Sequence, residues 1–301
     1  MMMRKIFIIG IFLLIPAIMP AQDTNDRFIP KITLATIAQE SNGNSYITFP
    51  TDVGNIEPLW FEANLIPSFN IHASKDSRLM GVLTPQIIIR MYQQESFPVR
   101  TPSYMPQLTV YYALSSKLRV HSLNAFLKLA HHSNGQDGNF YNPDSTINTL
   151  NGNFATNYIE LGVVRTHYNK RFNAVQFFST SLEMHPKGLT IDELDGIYSR
   201  YRWHSVLSFF KLPVDKDDDT ERKASLSIKG EFTWMFGEIY NWNTFSEKRI
   251  NVRLTVFYHP KLLEDIGIFA QIYSGMDYYN IYFDHQISVF RLGIMTDKLR
   301  F

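Results

Sequence analysis

The sequence predicts an all-β fold, a transmembrane antiparallel β-barrel of about twelve strands with both termini on the periplasmic side. Three observations lead there. The chain opens with a secretory leader, it then carries many segments of about ten residues that alternate apolar and polar side chains, and aromatic residues make up 14% of it. No later stretch approaches the run of about 20 apolar residues that a spanning helix needs. Average hydropathy hides barrel strands, because each has one apolar and one polar face.

Residues 1–21 read as a signal peptide: Arg4 and Lys5, an apolar run from Ile6 to Met19, then Pro20-Ala21, with cleavage placed before Gln22. Residues 22–57 form an N-terminal segment with a first strand, and residues 58–301 the barrel. There is no cysteine, which excludes a lipidated N-terminus, disulfides and thiolate metal sites. A net charge of +1 gives no electrostatic case for nucleic acid.

Strand-like runs follow at Leu59–His72, Leu79–Gln94, Met105–Leu114, Leu123–Ser133, Asn157–His167, Ala174–His185, Ile197–Lys211, Lys223–Phe236, Lys248–His259, Ile266–Ser274 and His285–Met295. Two alternate cleanly. Leu226, Ile228, Phe232 and Trp234 oppose Ser227, Lys229, Glu231 and Thr233; Ile250, Val252, Leu254 and Val256 oppose Asn251, Arg253 and Thr255. In a transmembrane barrel the charged side faces the lumen, so Lys128, Glu160, Lys229, Glu231 and Arg253 are expected to fill the interior. The links between runs alternate short and long, as periplasmic turns and extracellular loops do. Closing an antiparallel barrel requires one more upward strand, placed within Ile32–Phe49. The terminal aromatic, Phe301, suits an assembly signal of such barrels.

The chemistry concentrates in His131-His132-Ser133-Asn134-Gly135. With a period of two, His131 and Ser133 share a face with Leu127 and Leu129, while His132 points into the lumen. Asn157 opens the next run on the side of Ile159 and Leu161. A serine hydroxyl is a poor nucleophile until a base takes its proton, and the base works best when a third group fixes its tautomer. Ser133, His131 and Asn157 suit those three roles on the lipid-facing wall. An amide is a sensible third member there, because an unpaired carboxylate facing lipid is costly.

Here the sequence resembles the outer membrane phospholipase A family of twelve-stranded barrel hydrolases. His131-His132-Ser133-Asn134-Gly135 stands where that family has His-Gln-Ser-Asn-Gly, followed by Asn157. Glu95-Ser96-Phe97-Pro98-Val99-Arg100, Tyr104 and Pro106-Gln107-Leu108 follow its Glu-Ser-x-Pro-x-Arg and Tyr-x-Pro-Gln-Leu segment. Tyr240-Asn241-Trp242-Asn243-Thr244 and Gln271-Ile272-Tyr273-Ser274-Gly275 match two later motifs, so the resemblance spans Pro58 to Phe301.

The resemblance implies an outer-membrane, calcium-dependent hydrolase of phospholipid acyl esters, with phospholipase A1, A2 and lysophospholipase activities and catalytic Ser133, His131 and Asn157. It implies a homodimer with calcium at its interface, held by the Gln136 carbonyl, by Asn153 and by Ser96 of the second subunit. Asp144, Ser145 and Asp137 are alternatives to Asn153. Gln86 matches a glutamine used across the family's dimer interface, although Pro85 beside it leaves its parity open. The acidic run Asp215 to Asp219 reads as a solvated periplasmic turn, and the remaining histidines show no metal spacing. A silent barrel (channel or structural protein) and a deacylase of another outer-leaflet lipid are the alternative functions.

Overall fold

The computed structural model describes residues 30–50, 58–72, 77–115, 120–213, 223–260 and 262–301. The expected signal peptide and acidic run lie outside them. Among the described residues one sheet of thirteen strand segments closes on itself: β1 (Tyr46–Thr48), β2 (Leu59–Leu65), β3 (Phe69–His72), β4 (Leu79–Tyr92), β5 (Ser103–Ala113), β6 (Ser122–Ser133), β7 (Ala155–Asn169), β8 (Ala174–Met184), β9 (Tyr201–Lys211), β10 (Leu226–Phe236), β11 (Ile250–Tyr258), β12 (Ile266–Met276) and β13 (Gln286–Thr296). Neighbours pair antiparallel from β3 and β4 round to β13; β13 pairs with β1, β1 with β2, and β2 with β4. Because β2 and β3 share one place beside β4, the wall has twelve positions. Among the described residues no helix is long and apolar enough to cross a membrane.

Proline explains the break. Pro85 of β4 lies directly opposite Pro106 of β5, and neither has an N–H to donate. The β4 ladder therefore has a gap at its proline: β2 pairs with residues 87–92 and β3 with residues 81–83. The expected run Leu59–His72 is thus split around Pro67.

The first strand falls inside Ile32–Phe49 as expected but is only three residues long. Side chains complete its pairing: the Glu62 N–H donates to Thr48 Oγ1 and the Ile66 N–H to Ser45 Oγ, each at 2.8 Å. The rest of that segment is a helix, α1 (Leu34–Asn42), which the strand count did not anticipate. Thr33 and Thr36 form a reciprocal capping box at its start. Gly43, at φ 77°, ends it in a conformation that costs a glycine little. The helix packs into one mouth of the barrel, where Ile32, Leu34 and Ile37 join Phe177, Leu299 and Phe301 in a single apolar cluster.

Alternation decides which side chains go where. On β6, Phe126, Ala130 and His132 are buried inward, while Leu127 and Leu129 stand outward, 42% and 47% exposed. The same outward apolar series runs round the wall through Leu161, Leu182, Leu207, Ile268 and Ile272. A contiguous apolar wall of this kind is not a surface for water. Outward Trp60, Tyr104, Tyr201 and Trp203 cluster at one end and Tyr112 and Tyr258 at the other, as interfacial girdles do. Inside, charges pair with one another: Lys128 with Glu160 at 2.8 Å, Lys229 with Glu40 of α1 at 3.3 Å, and Arg253 with Glu231 at 3.4 Å.

This alternation makes a labelling prediction. With the protein in bilayers, Leu127→Cys and Leu129→Cys should resist a water-soluble maleimide, and Lys128→Cys should be reached only through the lumen. Ready labelling at 127 with protection at 128 would mean that β6 is flipped.

Candidate active site

The β6–β7 register sets His131 directly opposite Asn157 and Ser133 opposite Ala155. On the other side of β6, Tyr104 of β5 lies opposite Ser133. His131, Ser133 and Asn157 are all half-buried on the outer face, at the end of the wall from which the 134–154 loop departs. His132 turns into the lumen, buried edge-on against Phe154 at 5.0 Å, so parity separates the two adjacent histidines as expected.

The His131 ring is held by a bond between Nδ1 and Asn157 Oδ1 at 2.9 Å. The other end of that amide donates from Nδ2 to the Leu189 carbonyl at 2.6 Å. A carbonyl can only accept, so it settles which way the amide points, and Oδ1 must face the ring. Nδ1 of His131 therefore carries the proton and donates it, leaving Nε2 with a free lone pair. Ser133 is two residues further along the same face, at a Cα spacing of roughly 6.6 Å from two strand steps. Among the described residues its hydroxyl makes no hydrogen bond, so the Ser133–His131 link is not formed in this structure; such bonds often tighten only with substrate present.

Beyond Ser133, the buried Asn134 braces the loop. Its Oδ1 accepts from the Phe154 N–H at 3.0 Å and the Gln136 N–H at 3.3 Å, and its Nδ2 donates to the Gly152 carbonyl at 2.8 Å. The chain then turns at Gly135, with φ 65°, where a Cβ would also touch the Tyr104 ring at 3.5 Å. The Gly135 N–H has no partner among the described residues.

The proposed cation ligands divide into two groups. Gln136 and Asn153 lie on the two arms of the loop base, which are joined where the Asn153 N–H donates to the Gly138 carbonyl at 2.9 Å. Ser96 is on the separate β4–β5 connection, exposed and at φ 65°, with no hydrogen bond to either. Carbonyl, amide and hydroxyl oxygens suit a hard cation. Among the described residues no cluster of three or more His, Asp or Glu side chains is set to hold a metal, an arrangement this oxygen set does not use. Asp144 is occupied in its own turn: its Oδ1 accepts from the Thr146 N–H at 3.0 Å and hydroxyl at 2.6 Å, bonds that lower its pKa.

The parity of Gln86, open in the sequence, is fixed by its hydrogen bonds. The side chain faces the lumen, donating to Asn64 Oδ1 at 2.9 Å and accepting from Gln107 Nε2 at 3.0 Å, so it is not a group on the outer wall. The sequence missed the β8–β9 connection. A turn of 3-10 helix, Lys187–Leu189, followed by Thr190, folds back over β7, and a main-chain carbonyl leaves no signature among side chains.

No family model matches the sequence, and no curated protein matches it. Among solved structures, the fold is similar to an active-site mutant of outer membrane phospholipase A from Escherichia coli, with TM-score 0.57 at 13% identity over 92% of this chain and 95% of that one. It is also similar to the Salmonella typhi outer membrane phospholipase dimer with bound calcium, with TM-score 0.55, 13% identity and the same coverage. These likenesses establish the fold: a twelve-stranded transmembrane barrel of the kind found in the outer membrane.

Proposed function

We propose that this barrel is an outer-membrane phospholipase, with its active site on the lipid-facing wall toward the outer leaflet and both termini in the periplasm. The observation that carries the reading is the Nδ1–Oδ1 bond between His131 and Asn157 on the outer face that Ser133 shares. A Ser–His–Asn set facing lipid meets its substrate by lateral diffusion, with the acyl chains still in the bilayer.

In the reaction, His131 Nε2 takes the Ser133 Oγ proton as that oxygen attacks the ester carbonyl carbon. Asn157 stabilises the imidazolium through Nδ1 and prevents the ring from turning. The Gly135 N–H, without a partner among the described residues, is a main-chain donor for the developing oxyanion. Collapse breaks the ester C–O bond, and His131 returns the proton to the departing lysophospholipid hydroxyl. Water, deprotonated by the same Nε2, then releases the fatty acid from Ser133. The Gln136 carbonyl and Asn153, with Ser96 of a second copy, would hold a calcium ion, which when bound supplies positive charge near the oxyanion.

The deciding assay is calcium-dependent fatty-acid release from phospholipid by the detergent-solubilised protein, with lipid A offered in parallel. Products from lipid A alone would favour the other deacylase. A passive channel is opposed by the ion pairs across the lumen, and conductance in planar bilayers tests it.

The ligand assignment yields a prediction. Ser96→Ala leaves Ser133, His131 and Asn157 intact but should need about tenfold more calcium for half-maximal activity, the loss of roughly 1.4 kcal/mol of binding. Because calcium binding and association are linked, the variant should also dimerise less at fixed calcium. A calcium titration beside sedimentation in detergent checks both; unchanged curves would remove Ser96 from the site.

A further inference from the structure

The β8–β9 connection does more than join two strands. Strand β7 extends beyond β8, whose pairing with it begins at Ile159 and Met184, so residues 155–158 of β7 have lost that neighbour. The connection supplies a replacement. The Ile191 N–H donates to the Ala155 carbonyl at 3.2 Å, and Thr190 bridges to Thr156. The Thr156 hydroxyl lies 3.0 Å from that of Thr190 and 2.8 Å from His185 Nδ1. Lys187 is tied down at 2.8 Å by Asp195, which Arg200 also holds. This strap brings the Leu189 carbonyl to Asn157 while the Leu189 side chain stays 54% exposed, so its contribution comes from the main chain.

Resting on the reading of Ser133, His131 and Asn157 as catalytic, we infer that the Leu189 carbonyl is a positioning group that selects asparagine at position 157. An aspartate would present one carboxylate oxygen to His131 and turn the other against the carbonyl, two acceptors with no proton between them. An asparagine satisfies both neighbours at once. The strap thus fixes the amide, the amide fixes the Nδ1–H tautomer, and Nε2 is left as the base.

A double-mutant cycle tests this, combining Asn157→Asp with deletion of Gly188 and Leu189, which withdraws the carbonyl. In the full-length strap, Asn157→Asp should lower kcat about ten- to a hundredfold, the range of a hydrogen bond to a charged group. In the shortened strap the asparagine and aspartate forms should agree within about threefold. Thr190→Val, which loosens the strap without shortening it, should give an intermediate ratio, and Thr190→Ser should restore the native one. A second readout needs no turnover: the His131 Nδ1–H resonance in nitrogen-15-labelled protein in micelles, assigned by its loss in His131→Gln. That proton should exchange slowly in the native strap and rapidly in the shortened one. An asparagine-to-aspartate ratio that is the same in both backgrounds, or a proton signal indifferent to the strap, overturns the inference and leaves the hydrolase standing. Absence of esterase activity in the native protein overturns the hydrolase, and the proton signal still reports on the strap.

Discussion

Ser133→Ala and His131→Ala should each lower fatty-acid release by at least about a thousandfold, and the double variant should lose scarcely more than either alone. Nucleophile and base act as one unit, so removing the second gains nothing once the first is gone. The fold gives the alanine variants little reason to misassemble. The Ser133 hydroxyl has no hydrogen-bond partner among the described residues, and His131 gives up one bond, to Asn157, on the outer wall. Both variants should therefore keep the heat-modifiable mobility of a folded barrel. Asn157→Ala should be milder, since it removes orientation and leaves nucleophile and base. The measurement is initial rate on mixed phospholipid–detergent micelles at saturating calcium. Near-native rates in Ser133→Ala would end the serine mechanism, and multiplying losses in the double variant would separate the two residues.

What could be read in the chain before the structure, and what could not, follows from the physics of a barrel. A strand repeats every two residues, so the outward placement of His131 and Ser133 with Leu127 and Leu129 needed only local pattern. Likewise the strand before Leu59 followed from closure. Its shortness did not, because the capping box at Thr33 and Thr36 turns most of that segment into α1, a choice made by local hydrogen bonds. Beside Pro85 the pattern loses clarity, and Gln86 could be assigned to the lumen only from its bonds to Asn64 and Gln107. Least legible is whatever joins distant segments. The Leu189 carbonyl reaches Asn157 from 32 positions away. Four buried charges of the lumen, Glu62, Arg90, Asp277 and Arg291, come from β2, β4, the residue just after β12, and β13, with no spacing to betray them.

Those four charges carry the second large effect, on stability. Glu62 is fully buried and accepts from Arg90 Nε at 2.7 Å, from the Tyr46 hydroxyl at 2.6 Å and from the Tyr278 hydroxyl at 2.7 Å, with Arg291 at 3.4 Å. Arg90 is gripped from its other side by both oxygens of Asp277, at 2.7 and 2.9 Å. Two arginines thus balance two carboxylates. Glu62→Ala leaves one buried positive charge without compensation and strips two tyrosine hydroxyls of their acceptor. Breaking a buried pair from one side costs about 3–5 kcal/mol, so the variant should unfold at clearly lower urea concentration in lipid vesicles. Restoring the balance should recover much of the loss: in Glu62→Gln combined with Arg291→Met, neither charge remains to be desolvated. Tryptophan fluorescence and heat-modifiable mobility, followed together through the urea transition, measure both variants. The site on β6 and β7 lies outside this network, so Glu62→Ala that has folded should still hydrolyse lipid at close to the native rate. If Glu62→Ala unfolds with the native midpoint, the lumen charges are solvated and do not hold the barrel; if the double variant is no better than the single, charge balance is not what Glu62 supplies.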